Sequence, residues 1–417
     1  MSGPLPVKAF ADVVRERRSS VSAEILRQAA DIVETVRSEG EEALRRYSEG
    51  FGDIREGQAI VLDRSDLLGA VDDIDGETRN LLERVADRVR NFATAQLGAL
   101  VAIDVAVDGG RAGHSLIPVR SVGAYAPGGR HPLPSSVLMT VIPARVAGVE
   151  QVWVASPRPT PVTLAAAGIA GADGLITIGG AQAIAALAFG TVSPACDMVV
   201  GPGNAWVTAA KKHLYGEIGI DGLAGPSEIV VIADQIADPV LVAADLLAQA
   251  EHDPMAQPIL VASDTALLDA VQLELSHQLE DLPTASVARS ALSRGFAVAV
   301  DSIDDAVSIS EHLGPEHLAL HVADPEELSK QLTAYGSLFI GDASAEALAD
   351  YGVGPNHVLP TGGGARFQSG LSVFTFLRTP SWLRIDNASA TAPDAAHFAR
   401  LEGLEAHARA ALMRGDS

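Results

Sequence analysis

The chain has 417 residues and a formal net charge of −23, with 47% apolar and 20% charged residues. This length exceeds one ordinary hydrophobic core, so two or more lobes are expected, and the composition is that of a folded rather than a disordered protein. The negative charge disfavours nucleic acids and anionic membranes as partners, because both would repel it.

Cys196 is the single cysteine, which excludes a disulfide framework and any metal site built from thiolates alone. The N-terminal segment lacks the apolar stretch of a secretory signal, and no run of about 18 apolar residues suggests a membrane span. We therefore expect a cytoplasmic location.

The predicted elements follow an N-terminal arm of residues 1–20. Residues 21–50 and 76–97 have the apolar spacing of amphipathic helices. Short apolar runs that end in glycine and precede alanine-rich helical stretches come at 150–156, 174–180 and 197–203. A second set of strand-like runs, each followed by a helical segment, comes at 229–234, 258–264, 295–301, 318–324 and 337–342.

This alternation predicts an α/β fold in which βαβ units surround parallel sheets. We expect residues 122–228 to form one lobe, inserted into a larger lobe of residues 21–121 plus 229–371. Residues 372–417 are less regular and end in an alanine-rich helical tail.

Three glycine-rich loops are candidates for binding a dinucleotide, although the usual GxGxxG fingerprint is absent. GPGNAWV (201–207) and GGAQAI (179–184) are strand–turn–helix segments whose backbones could approach a phosphate. AYAPGGRHPLPSS (124–136) adds Tyr125 as a possible stacking surface. Spacing alone leaves open that all three are plain turns between strand and helix.

A candidate metal site starts from DLLAQAEHD (245–253), which the apolar spacing predicts to be helical. Gln249 and His252 are three residues apart and share one helix face, and both side chains are acceptable donors to a divalent metal. A lone His–Gln pair is more often structural, so further ligands are needed.

Three other polar pairs lie in apolar surroundings: Glu316–His317, Asp350–His357 and Glu402–His407. Each has a structural alternative, because the first could cap a strand, Asp350 could be a turn or cap residue, and His407 could be a solvated helix residue. His321, within an apolar strand, is expected to be a hydrogen-bonded core group.

The order of these motifs resembles that of the histidinol dehydrogenase family. The motifs occur in the family's order: AYAPGGRHPLPSS, GGAQAI, GPGNAWV, AGPSE, QAEHD, GPEHL, GPNHVLPT and EGLEAH. The resemblance covers nearly the whole chain, from about residue 20 to about residue 410. The resemblance implies an α/β fold of two Rossmann-like lobes with parallel-rich sheets, plus small helical segments at both termini. The lobes of this family lack the usual fingerprint, which agrees with the missing GxGxxG.

The resemblance implies roles for individual residues. The zinc ligands would be Gln249, His252, Asp350 and His407, and the catalytic pair would be Glu316 and His317. The substrate would be contacted by these four ligands and His317, and also by Ser227, Glu346, His357 and Glu402. The cofactor NAD would be contacted by Tyr125, Gln182 and Asn204.

The resemblance also implies an assembly and a reaction. His407 would come from the partner subunit of a homodimer, so that the tail of residues 372–417 is exchanged between subunits. The reaction would be the two-step oxidation of L-histidinol through L-histidinal to L-histidine, with two NAD and one zinc per subunit.

Three alternatives compete with this reading. A relative that oxidises a sulfonated propanediol would need cationic or amide groups where Glu346 and Glu402 stand, so histidinol is favoured. A non-catalytic paralogue would be expected to lose a ligand or an acid–base residue, and none is missing. A metal-dependent hydrolase would leave the glycine loops without a role.

Overall fold

The computed structural model describes residues 3–13, 22–128 and 132–415. The helices are α1 Phe10–Val13, α2 Ala23–Glu39, α3 Glu41–Gly50, α4 Arg64–Asp73, α5 Gly76–Gly98, α6 Pro134–Ala147, α7 Pro161–Ala170, α8 Gly180–Phe189, α9 Ala205–Leu214, α10 Pro239–His252, α11 Thr265–Gln278, α12 Ala285–Leu292, α13 Ile303–Leu313, α14 Pro325–Ser329, α15 Glu346–Asp350, α16 Ala392–Leu401 and α17 Glu405–Gly415. The strands are β1 Val61–Asp63, β2 Ile103–Val107, β3 Gly110–His114, β4 Ile117–Pro118, β5 Ser121–Tyr125, β6 Gln151–Ala155, β7 Gly174–Ile176, β8 Met198–Val200, β9 Gly219–Ile220, β10 Glu228–Ala233, β11 Gln257–Ala262, β12 Phe296–Ala299, β13 His317–His321, β14 Ser337–Ile340, β15 Leu377–Arg378 and β16 Ser381–Ile385.

The first sheet has the strand order β1-β7-β6-β5-β8-β9 and is parallel except for β1, which pairs antiparallel with β7. Alternate residues of its buried strands face opposite sides, as the pleat requires. Val122 and Ala124 of β5 join a core with α4–α7, whereas Tyr125 joins a second core with α2, α3, α8 and α9. Helices therefore cover both faces, which is the predicted Rossmann-like layering.

The N-terminal helices belong to this first sheet. Ala29 and Val33 of α2 pack on one face of the sheet, and Leu82 and Val89 of α5 pack on the other. The sequence pattern groups residues 21–121 with residues 229–371. In the structure, residues 22–98 instead pack against the sheet formed by residues 121–220, and they supply its edge strand β1. Helical periodicity shows which face of a helix is apolar, but it does not show which sheet will cover that face.

The second sheet is wholly parallel, with the order β12-β11-β10-β13-β14. Helices α10–α12 cover one face and α13 and α14 the other. The predicted strands at 229–234, 258–264, 295–301, 318–324 and 337–342 are confirmed, with ends shifted by a few residues. The predicted α/β class with two parallel-rich lobes is thus confirmed.

The C-terminal segment forms two small structures. β16 pairs with β3, which pairs with β2, and helices α16 and α17 pack against each other through small buried alanines. Large apolar side chains of this helix pair remain exposed, among them Phe398, Leu401 and Met413. Among the described helices, none has the length and apolarity that crossing a membrane requires.

Candidate active site

Helix α10 presents Gln249 and His252 at its C-terminal end. Asp238 caps its first turn by accepting a hydrogen bond from Val240 N, and Pro239 occupies the first helical position, where no amide hydrogen is needed. Because the helix runs antiparallel to its sheet, its last turn lies at the amino ends of the strands. Gln249 is fully buried there.

Glu316 and His317 lie at the amino end of β13, beside that turn. Glu316 Oε2 accepts a hydrogen bond from Glu228 N at 3.0 Å. Burial raises the pKa of Glu316 well above its ordinary value, since the charged carboxylate is removed from water. Burial also lowers the pKa of His317 to about 4, so its imidazole is neutral at neutral pH.

The side chain of Gln249 lies against His317, with the amide 2.9 Å from Nδ1. With Oε1 on this side, Nδ1 carries the ring proton and Nε2 keeps its lone pair. Turned over, the amide nitrogen faces three possible acceptors, His317 Nδ1, Glu346 Oε1 at 3.3 Å and the carbonyl oxygen of Glu228 at 3.2 Å, and both amide atoms are then satisfied. The orientation of one amide thus decides which nitrogen of His317 is basic.

The short helix α15 brings two carboxylates to the same place. Asp350 Oδ2 is 3.5 Å from His252 Nε2, and Glu346 Oε1 is 3.3 Å from His317 Nδ1. Burial opposes ionisation of Asp350, but the hydrogen bond from His252 and nearby histidines hold its pKa below the usual value. Burial alone dominates at Glu346 and raises its pKa well above the ordinary range.

These residues form a cluster of metal-ligand type. One ligand atom each of His252, Glu346 and Asp350 lies within 4.8 Å of the others. Imidazole nitrogen and carboxylate oxygen are donors that suit zinc. Two buried atoms at the cluster, His317 Nε2 and Glu346 Oε2, have no hydrogen-bond partner within the described part of the chain. Buried polar atoms are costly when left unpaired, so the residues fit a bound group at this position.

The loop of residues 351–361 closes the site from the side of the first lobe. His357 Nδ1 lies 3.0 Å from the backbone oxygen of Asp350, and its Nε2 lies 3.4 Å from Ser136 Oγ of α6. The pKa of His357 is lowered by burial. The predicted substrate contact therefore stands where the two lobes meet.

The same loop is anchored to a break in helix α6. Pro143 lies inside that helix and has no amide hydrogen, so the carbonyl oxygen of Met139, four residues earlier, lacks its helical donor. Asn356 Nδ2 donates to this oxygen at 2.6 Å. The side chain of Asn356 replaces the missing hydrogen bond and holds His357 against the first lobe.

The predicted cofactor contacts lie on the first sheet. The Tyr125 hydroxyl accepts a hydrogen bond from Gly180 N at 3.2 Å, and Gln182 follows on the same helix, α8. The ring of Tyr125 is only 3% exposed, so it offers no open stacking face. Asn204 caps the neighbouring helix α9 by accepting from Trp206 N at 3.0 Å.

A model of the histidinol dehydrogenase family matches residues 15–415, which is nearly the whole chain. The chain belongs to the histidinol dehydrogenase family. A histidinol dehydrogenase of Thermus thermophilus is 46% identical over 389 residues, covering 92% of this chain and 93% of that protein. Another, of Nitrosomonas europaea, is 44% identical over 405 residues, covering 95% and 94%.

The fold agrees with this membership. The crystal structure of histidinol dehydrogenase from Elizabethkingia anophelis matches with a TM-score of 0.92 at 30% identity, covering 99% of this chain and 98% of that one. The resemblance inferred from the sequence motifs is thereby confirmed. The chain is an oxidoreductase of histidine biosynthesis.

Within this histidinol dehydrogenase chain, two predicted site residues stay away from the cluster. His407 is exposed on α17, and Glu402 is exposed in the turn between α16 and α17, which pack on each other. Ser227 directly precedes β10, and its hydroxyl hydrogen-bonds to the Glu316 carboxyl, which opposes the rise in the pKa of Glu316. The predicted ligands Gln249, His252 and Asp350 lie close to one another, and Glu346 lies beside them.

Sequence reasoning missed two acidic residues. Asp53 Oδ2 accepts from Gly179 N at 2.9 Å and from Gln182 Nε2 at 3.2 Å, although it lies more than a hundred residues earlier in the chain. Glu228, buried at the start of β10, accepts from Gly362 N at 2.8 Å. An acidic residue opening an otherwise apolar strand was the signal for Glu228, whereas no local pattern pointed to Asp53.

Proposed function

We propose that this enzyme oxidises L-histidinol through L-histidinal to L-histidine in two steps, with one zinc ion per subunit and two NAD. The observation that carries the proposal is a neutral, buried His317 next to Glu316 and beside the His252–Asp350 pair. One enclosed site would therefore contain a base, a second carboxyl group and metal ligands. We also propose the cytoplasm as its location, as expected from the single cysteine.

Zinc would be held by His252 and Asp350, together with Gln249 and with His407 of a second copy of the chain. When bound, zinc would supply a Lewis acid that attracts the nitrogen donors of histidinol and orients the substrate. The lowered pKa of Asp350 supports this role, because an ionised carboxylate is the form that binds a cation. Glu346 adds a second acidic group beside it.

His317 would accept the proton of the substrate hydroxyl at Nε2, the nitrogen that has no partner within the described chain. That role requires the proton of the neutral ring to sit on Nδ1, where Glu346 Oε1 at 3.3 Å can accept it. The amide nitrogen of Gln249, which faces Nδ1 in the better-satisfied orientation, must then turn away from the ring. NAD, when bound, would supply the acceptor for the hydride of the carbon that bears this hydroxyl. The enclosed position of His317 keeps water from competing for the proton.

Glu316 would serve the second step, in which a water must add to the aldehyde carbon. Its raised pKa makes it a stronger base than an ordinary carboxylate once ionised. Its hydrogen bond from Glu228 N holds Oε2 in place. Because both steps use one site, the reactive aldehyde is not released.

A homodimer would complete the site. Glu402 and His407 are exposed on a helix–turn–helix segment that also exposes Phe398 and Leu401. Exposed apolar groups of this size are typical of surfaces that another chain covers. An exchanged tail accounts for both the missing fourth ligand and the apolar surface.

The histidinol assignment is favoured over a sulfonated propanediol because the cluster presents the carboxyl groups of Glu346 and Asp350 rather than cations. The direct test is NADH formation from L-histidinol by the purified protein, measured with zinc and after chelation. We expect two NADH per histidinol consumed and loss of the rate on chelation. A zinc-loaded protein that reduces NAD with dihydroxypropanesulfonate but not with L-histidinol would overturn the substrate assignment.

A further inference from the structure

A second histidine-centred group lies beneath the site, on the same three elements. His321, at the end of β13, is 3% exposed, and its Nε2 lies 2.9 Å from Asp245 Oδ2 of α10. Its Nδ1 lies 3.0 Å from Asp342 Oδ1, just after β14. We call these three residues the lower triad. It joins α10, β13 and the connection from β14 to α15 through one imidazole ring.

Each member of the lower triad stands four residues from a residue of the site. Asp245 precedes Gln249 on α10, His321 follows His317 on β13, and Asp342 precedes Glu346. Residues four apart share a face both on a helix and on a strand.

The upper residues contact one another in the same pattern as the lower ones. The amide of Gln249 lies 2.9 Å from His317 Nδ1, and Glu346 Oε1 lies 3.3 Å from the same nitrogen. Two histidines on one face of a single strand are therefore each held between α10 and the segment that follows β14.

The lower triad differs from the site in its charge. Burial disfavours a charged His321, but the hydrogen bond and charge of Asp245, together with Asp342, outweigh it and raise the pKa of His321. The hydrogen bond to Asp245 is directional, whereas Asp342 lies at ion-pair distance from Nδ1 without hydrogen-bond geometry. Contacts of this kind are strong when the histidine is charged. Through these contacts, His321 links β13 to α10 and to the β14–α15 connection.

We propose that Asp245, His321 and Asp342 are positioning residues, which set the relative placement of Gln249, His317 and Glu346 for histidinol oxidation. The inference rests on the proposed function, because it assigns a role toward that reaction. None of the three lies in the cluster or touches the proposed substrate position. Their effect on the reaction would pass through geometry, to which enzymatic rates are sensitive at the scale of about 1 Å.

The test compares Asp245→Ala with Asp245→Asn and with Val271→Ala, a cavity variant in α11 of the same lobe that leaves the lower triad intact. For each, kcat and KM for L-histidinol are measured at saturating zinc, along with the unfolding temperature. We expect kcat of Asp245→Ala to fall roughly 10–100-fold, the usual effect of removing a group that orients functional residues. Asp245→Asn keeps an oxygen acceptor for His321 and should recover most of the rate.

Val271→Ala should lose comparable stability and keep its kcat. Equal kcat values for Asp245→Ala and Val271→Ala, with an active wild type, would overturn the positioning role and leave the histidinol assignment intact. Should Asp245→Ala fail to fold, Asp342→Ala takes its place, since that side chain is 49% exposed. An unchanged kcat in this variant counts against the proposal in the same way.

A readout independent of the substrate separates this inference from the proposed function. The affinity for zinc alone, measured by competition with a chelating dye, should fall in Asp245→Ala and not in Val271→Ala. An inactive wild type would defeat the histidinol assignment, while the zinc measurement would still decide whether the lower triad positions the site.

Discussion

His317 and His321 lie four residues apart on one face of β13, yet their pKa values move in opposite directions. Burial lowers the pKa of His317 to about 4, whereas Asp245 and Asp342 overcome burial at His321 and raise its pKa. One strand thus holds a histidine whose neutral form is favoured, at the proposed reaction centre, and beneath it a histidine whose charged form is favoured.

The raised pKa of His321 predicts a stability effect that depends on pH. Its charged form stabilises the fold below about pH 6.5, the ordinary value for histidine, and this contribution is lost as the pH rises through the raised value of the folded protein. We expect His321→Asn to lower the free energy of unfolding more at about pH 6 than at about pH 9. Urea unfolding at both pH values measures this difference. His277→Asn, at an exposed position, serves as the control and should show none.

The second step of the reaction should depend on Glu316 more strongly than the first step does. Glu316→Gln removes the base that would activate water but keeps an oxygen that can accept from Glu228 N. We expect oxidation of L-histidinal to fall roughly 100-fold or more, and oxidation of L-histidinol to L-histidinal to fall far less. Single-turnover measurements with each substrate separate the two steps. Equal losses would contradict the division of labour between Glu316 and His317.

The exchanged tail predicts complementation between two inactive variants. His317→Asn damages the body of one chain, and His407→Asn damages only its tail. If each site joins the body of one chain to the tail of the other, a mixed dimer has one intact site, and random mixing restores about a quarter of the wild-type activity. The variants are mixed after unfolding and refolding together, and each refolded alone is the control. No recovery, with mixed dimers present, would exclude an exchanged ligand.

Zinc affinity should distinguish the two acidic residues of α15. Asp350 has a lowered pKa and supplies negative charge, whereas burial raises the pKa of Glu346. We expect Asp350→Asn to weaken zinc binding by roughly 10-fold or more compared with Glu346→Gln. Glu346→Gln should instead raise KM for histidinol. Competition with a chelating dye measures the first quantity and steady-state kinetics the second. The reverse order of zinc affinities would make Glu346 a ligand.

Much of the local structure was predictable, because it depends on short-range patterns. Strand, turn and helix around α10 follow from apolar spacing, and the pairing of Gln249 with His252 follows from helical geometry. His321 was expected to be a hydrogen-bonded core group, and Asp245 provides that bond. The order of the motifs then identified the family.

What the sequence did not reveal are contacts between distant segments. Gln249 meets His317 across 68 residues and Asp53 meets Gln182 across 129, and neither pair leaves a periodic signal. The helices of residues 22–98 were assigned to the wrong sheet for the same reason. Amphipathic patterns describe a surface to be covered and leave its partner unspecified.

The break in α6 at Pro143 leaves a free backbone acceptor inside the helix. A regular helix offers no free backbone acceptor in its interior, so it cannot receive a side chain there. Because the proline leaves the Met139 carbonyl available, Asn356 in the loop that follows α15 donates a hydrogen bond to it. Replacing Pro143 with alanine would restore the missing hydrogen bond of α6 and stabilise the helix. The Met139 carbonyl would then no longer be free for Asn356, so the loop that carries His357 would be held less firmly against the first lobe.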